Sequence, residues 1–313
     1  MIDTFLAPFS HGFMLEAMGA GALVATACAL LSCYIVLKGW SLLGDAISHA
    51  VLPGVVLASA AGLPLAPGAF AAGMFCALGA GFVQSHSRVK EDAALGVVFT
   101  GMFAAGIVML AFLTTEAHIT HILFGNILGI EREDLWQTLI VGGITLAVLL
   151  VKSRDLTLFC FDATHARGIG LNTGMLRYLF LALLSAAVVA GVQAVGVILV
   201  VALLITPGCI GYLLSDRFGR MSAIAVTAAV AATLIGILAS YHANISPAGS
   251  IVVVLSLLFA LALTLAPKHG LLAGRHARRE AGRTSVPHDT GTSVSRPHEA
   301  SAGDRTSAAK AGL

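Results

Sequence analysis

Nine stretches of mostly apolar residues, each about as long as a bilayer is thick, govern what this chain can fold into. A membrane-crossing helix needs about 20 such residues. The stretches fall at 14–37, 44–62, 64–85, 93–114, 135–151, 175–195, 197–214, 221–240 and 250–266. The boundary between the second and third is soft, and Gly196 separates the sixth from the seventh. Only 11% of residues are charged and 58% are hydrophobic, so too few polar side chains exist to clothe a water-facing surface around this much apolar chain. The expected fold is all-α: an integral membrane bundle of about eight to nine transmembrane helices.

The basic residues test that map. With the N-terminus outside, every Lys and Arg except Arg132 falls on the cytoplasmic side, in loops around Lys38, Arg88, Lys152, Arg167 and Arg217 or in the C-terminal tail. The opposite orientation would put nearly all of them outside, against the positive-inside bias. An N-out, C-in chain is expected. Residues 1–267 then form the transmembrane domain. Residues 268–313, rich in Ser, Thr, Gly, Ala and charge, read as a disordered cytoplasmic tail. The net charge of +2 comes from scattered or tail residues, so no nucleic-acid partner is expected.

Small residues inside the spans, with 34 glycines in all, favour close helix packing, since lipid gives helices no hydrophobic reason to associate. Pro53 and Pro207 mark local helix breaks. Five cysteines with no CxxC pair suggest neither a disulfide framework nor a thiolate zinc site.

Ionisable residues within a span are costly and so informative. Asp45 and His49 lie four apart in the second span, one helical turn from each other on one face. A carboxylate and an imidazole placed so suit Mn, Fe or Zn. The alternative is that Asp45 caps the helix start and His49 bonds a neighbouring helix. Between the fourth and fifth spans, Glu116, His118, His121, Glu131, Glu133 and Asp134 would form either a cation-attracting vestibule or merely a solvated loop. The inner loop from Phe161 to Leu171 reads as a short amphipathic helix ending at glycine, a docking surface for a partner. No GxxxxGK[ST] or HExxH occurs, so ATP hydrolysis would need a separate chain and a zinc protease is not indicated.

The run Leu37-Lys38-Gly39-Trp40-Ser41-Leu42-Leu43-Gly44-Asp45-Ala46-Ile47-Ser48-His49-Ala50-Val51-Leu52-Pro53-Gly54 resembles the signature of the ABC-3 family, the permeases of bacterial metal-ion ABC importers. Gly125-Asn126-Ile127-Leu128, the Phe161–Asn172 loop and Thr206-Pro207-Gly208 agree in order, and the ending Ala266–Gly274 is similar to the chelated-iron/manganese, Sit/Yfe-type branch. The resemblance covers about residues 1–280. It implies a non-enzymatic transport subunit, working as a homodimer or paired permease with two cytoplasmic ATPase subunits and a periplasmic or lipid-anchored metal-binding protein. It also implies that Asp45 and His49 line the path of a transported Mn, Fe or Zn ion, with no permanently bound cofactor. Asp162, Ala163, Ala166, Gly168 and Gly170 would form the ATPase-docking helix, while His118 and His121 gain less support. A zinc importer of the same family is the nearest alternative. A self-contained secondary transporter is further off, because proton-coupled carriers usually keep a relay of ionisable residues in their spans.

Overall fold

The computed structural model describes residues 12–40, 42–112 and 132–266. Among them are twelve helices and no strand: α1 (Gly12–Lys38), α2 (Leu43–Ala50), α3 (Leu52–Ala60), α4 (Leu65–His86), α5 (Glu91–Ala111), α6 (Arg132–Val151), α7 (Ser153–Phe161), α8 (Ala163–Gly168), α9 (Thr173–Val195), α10 (Val197–Leu214), α11 (Phe218–Ala243) and α12 (Pro247–Leu265). With α2 and α3 taken as one broken span, nine are long and apolar enough to cross a membrane. His118, His121, the Gly125–Leu128 motif and the tail beyond Ala266 lie outside the described residues.

Helix ends follow local chemistry. Asn244, in the left-handed conformation at φ 50°, ends α11, and Pro247 opens α12 behind Ser246, whose hydroxyl accepts from the Gly249 amide. Glu133 and Asp134 sit in the first turn of α6, where the helix dipole favours negative charge.

Helix α1 is the hub. It packs most extensively on α10 and α11 and also meets α6 and α9. Its buried face carries Ala17, Ala20, Gly21, Ala25, Ala29, Ser32 and Cys33, small side chains that let neighbouring backbones close in. Helix α1 meets α10 closely at Gly208, where an added Cβ would stand 2.4 Å from the Ser32 hydroxyl and 2.6 Å from its carbonyl oxygen. That hydroxyl accepts the Gly208 N–H at 2.9 Å and donates to the Ile205 carbonyl at 3.1 Å, bracketing Pro207, which cannot donate to the helix. Helices α9 and α10 are joined by Gly196 alone, at φ 87° and ψ 162°, a conformation open essentially only to glycine.

The outer faces stay apolar. Phe75, Phe82, Val97, Trp136, Ile144 and Leu257 are all more than half exposed, as lipid or partner helices require. Cys28, Cys33, Cys76 and Cys160 are buried and all five cysteines are free, packed as small apolar residues.

The second apolar stretch is not one helix. It divides at Val51 into α2 and α3, with Pro53 in the first turn of α3. Within the Phe161–Leu171 stretch the short helix expected is present as α8, ending at Gly168. Chain from Ser153 to Phe161 is already helical, and a break at Asp162 starts the separate α8. The Asp162 carboxylate accepts the backbone N–H groups of Thr164 and His165 at 2.8 and 2.9 Å, so it ends one helix and caps the next.

Candidate metal pathway

Helix α2 is held on three sides. It contacts α4, α5, α9 and α10, and Leu43, Gly44, Ala46, Ile47, Ser48 and Ala50 are buried. Asp45 and His49 are the two α2 residues left half-exposed, with side chains 34% and 35% accessible. One stripe of the helix is therefore open, and it carries both of its ionisable groups.

The local bonding sets up the imidazole. His49 Nδ1 lies 3.0 Å from the Asp45 carbonyl oxygen and 3.3 Å from the carboxylate Oδ1. Both oxygens can only accept when the carboxyl is ionised, so Nδ1 carries the proton and the lone pair lies on Nε2. A ring so oriented, with its other nitrogen tied to an oxygen, is the arrangement metal-binding histidines adopt. Neither half of the capping alternative holds. The N-cap position of α2 is Leu42, with no side-chain cap bond, and the His49 ring nitrogen bonds within its own helix, to the Asp45 carbonyl.

Two aromatic rings of α5 wall the imidazole: Phe103 edge-on at 5.5 Å between centroids and Phe99 at 6.4 Å. They fix its tilt without competing for its nitrogens. Nothing in the sequence reading pointed to them, although their four-residue spacing on one apolar span puts both on one face. Just beyond, Pro53 has no N–H to offer the carbonyl four residues back, that of His49. Among the described residues no group of three or more His, Cys, Asp or Glu could enclose an ion. One chain thus offers two groups able to ligate an ion, Asp45 and His49, and His118 and His121 lie outside the described residues.

The other expected site residues cluster in and around α8. Asp162 is its cap, and the backbone N–H of His165 is the main reason the carboxyl is held below its ordinary range, helped by that of Thr164. Ala166 is fully buried, Ala163 is half-buried, Gly168 is the last helical residue and Gly170 turns the chain at φ 88°. Asn172 then caps α9 by accepting the Met175 N–H.

Comparison with known proteins settles the ancestry. The model of the ABC 3 transport family matches residues 10–266. The chain belongs to this family. Its similarity to individual family proteins is high and nearly full-length. It is 50% identical over 272 residues to the manganese transport system membrane protein MntB of Synechocystis, covering 87% of this chain and 89% of that one. It is also 50% identical to the chelated iron transport system membrane protein YfeD of Yersinia pestis, covering 82% and 86%. Among solved structures, PsaBC from Streptococcus pneumoniae in complex with Fab superposes with a TM-score of 0.79 at 32% identity, covering 88% of this chain and all of the other. As a member of the ABC 3 family the chain is a multi-pass membrane permease subunit of a transport system, and the all-helical, multi-span architecture expected of it is the one observed.

Proposed function

We propose that this chain imports manganese or iron as divalent ions across a bacterial inner membrane, with Asp45 and His49 as the groups the ion meets. The observation that carries the reading is the open stripe of α2, where a carboxylate and an imidazole with its Nε2 lone pair available stand one turn apart. A carboxylate–imidazole pair suits Mn, Fe and Zn alike, and the names of the similar manganese and chelated-iron proteins favour the first two. Two ligands per chain make a site from which an ion can leave. A second permease copy facing the same stripe would complete a coordination shell only transiently, which is what conduction requires.

The permease works with separate ATPase subunits docked at α8 on the cytoplasmic side and with a metal-binding protein that delivers the ion outside. The N-terminus is outside and the C-terminus inside, as the placement of Lys and Arg supports. ATP binding would rock the bundle between outward- and inward-open states.

The test is competitive uptake of labelled Mn, Fe and Zn by cells expressing the permease with its ATPase and binding protein, wild type beside Asp45→Ala. Mn or Fe uptake should be lost in the variant at matched membrane levels. Zn-dominated uptake would assign the cargo to zinc, and undiminished uptake in Asp45→Ala would remove the pair from the pathway.

A further inference from the structure

Away from α2, a cleft of about 460 Å3 opens where α1 and α4 finish and α9 begins, with α7 and α8 along one side. Three cations line it, Lys38, Arg167 and Arg177, together with Gln84 and the first turn of α9 at Thr173 and Gly174; no acidic residue is among its lining. Each cation is steered by neutral groups. The Lys38 ammonium donates to the Phe159 carbonyl at 3.4 Å and stands 4.6 Å from the Phe159 ring centroid. Arg167 Nε donates to the Thr173 hydroxyl at 2.9 Å. The Arg177 guanidinium lies 6.0 Å from the Trp40 ring centroid. Among the described residues none of the three cations has a carboxylate within ion-pair distance.

Three positive charges converging on one cleft repel each other, and a wall containing the buried Trp40 ring strengthens that repulsion relative to open water. The N-terminus of the 23-residue α9 adds the positive end of its dipole. An anion relieves all four at once. Several acceptor oxygens arranged tetrahedrally can reach an ammonium, two guanidinium forks and a helix terminus, which is the pattern of phosphate recognition.

We propose that this cleft is a binding site for a phosphate-bearing anion, either the headgroup of an anionic phospholipid or free phosphate, clamped by Lys38, Arg167 and Arg177. The assignment rests on the fold and not on the metal pathway. A bound anion ties the end of α1 to α8 and to the start of α9, three elements otherwise joined here by few polar contacts.

The experiment uses the purified full chain in nanodiscs. One arm compares phosphatidylcholine alone with phosphatidylcholine containing phosphatidylglycerol, reading lipid retained per chain by native mass spectrometry and the unfolding midpoint. The other adds inorganic phosphate against chloride at equal ionic strength in phosphatidylcholine alone. Lys38→Gln/Arg177→Gln and, separately, the surface variant Arg167→Gln should weaken binding about tenfold or more, whereas Arg154→Gln, a basic residue outside the cleft, should not. Retained phosphatidylglycerol identifies a lipid headgroup and a rise in midpoint with phosphate identifies the free anion; either supports the site if the cleft variants abolish it. No response to either probe, or a response that survives Arg167→Gln and the double variant, overturns it.

Discussion

Replacing Gly208 with alanine should destabilise the bundle, and the size of the effect can be worked from the contact at Ser32. The new Cβ would stand 2.4 Å from the Ser32 hydroxyl, 2.6 Å from its carbonyl oxygen and 2.7 Å from its carbonyl carbon. All are too short to keep, so α1 and α10 must part by several tenths of an ångström. Overpacking of this kind costs about 1–3 kcal/mol. Lengthening the Gly208–Ser32 hydrogen bond adds about 1 kcal/mol. Against this, alanine gains about 1 kcal/mol of helix propensity over glycine, leaving a net loss of about 1–3 kcal/mol. Ser32→Ala should cost about 1 kcal/mol by itself, since hydrogen bonds between membrane helices average about 0.6 kcal/mol and two are lost. Combining the two substitutions decides the cause. Removing the hydroxyl relieves one of three contacts, and the two to the Ser32 backbone persist, so Ser32→Ala should not restore Gly208→Ala. Equilibrium unfolding in mixed micelles, followed by Trp fluorescence, gives each value. A Gly208→Ala protein as stable as wild type, or one fully rescued by Ser32→Ala, would refute backbone-to-backbone packing at this crossing.

Other outcomes follow from single positions. Gly196→Ala should cost about 1–3 kcal/mol, because a Cβ is strained at φ 87° and ψ 162°; the same unfolding titration reads it. Phe103→Ala should leave metal uptake present but reduced, with His49→Ala abolishing it, if the ring serves only to orient the imidazole; equal losses in the two would assign Phe103 a larger part. Asp162→Ala should raise hydrogen exchange across α8, while Asp162→Asn, which keeps the cap acceptor, should change it much less. The Asp162 carboxyl is held below its ordinary value in the folded chain, so its support of α8 is complete at neutral pH. That support fades as pH falls through the folded value, below the usual carboxylate range, and exchange at α8 should rise there in wild type but not in Asp162→Ala.

Nine spans were legible because their signal is additive. A run of apolar residues as long as the bilayer is thick survives errors of several residues at each end, and the structure moves the boundaries by only that much. Asp45 and His49 were legible for the opposite reason, as rare ionisable groups in apolar surroundings. What escaped depends on competition or on distance. Pro53 does accompany a break in its span, as expected, but Pro207, read the same way, lies inside the continuous α10, because proline is also tolerated within membrane helices. The two-helix inner loop turns on Asp162, whose carboxylate captures backbone donors that a continuous helix would have used. Phe99 and Phe103 look like any lipid-facing aromatic until α5 is laid against α2. Lys38, Arg167 and Arg177 come from three separate places in the chain, and no spacing rule could have gathered them.

The single-residue junction at Gly196 has a mechanical meaning. Two rods pinned at one point cannot separate there, so α9 and α10 can splay only at their opposite ends, with Gly196 as the fulcrum. One of those ends is the start of α9, joined to α8 by four residues, and the other is the end of α10 at Leu214, beyond Pro207. A displacement near the pin becomes larger at the far ends, so any motion of α9 against α10 is greatest there.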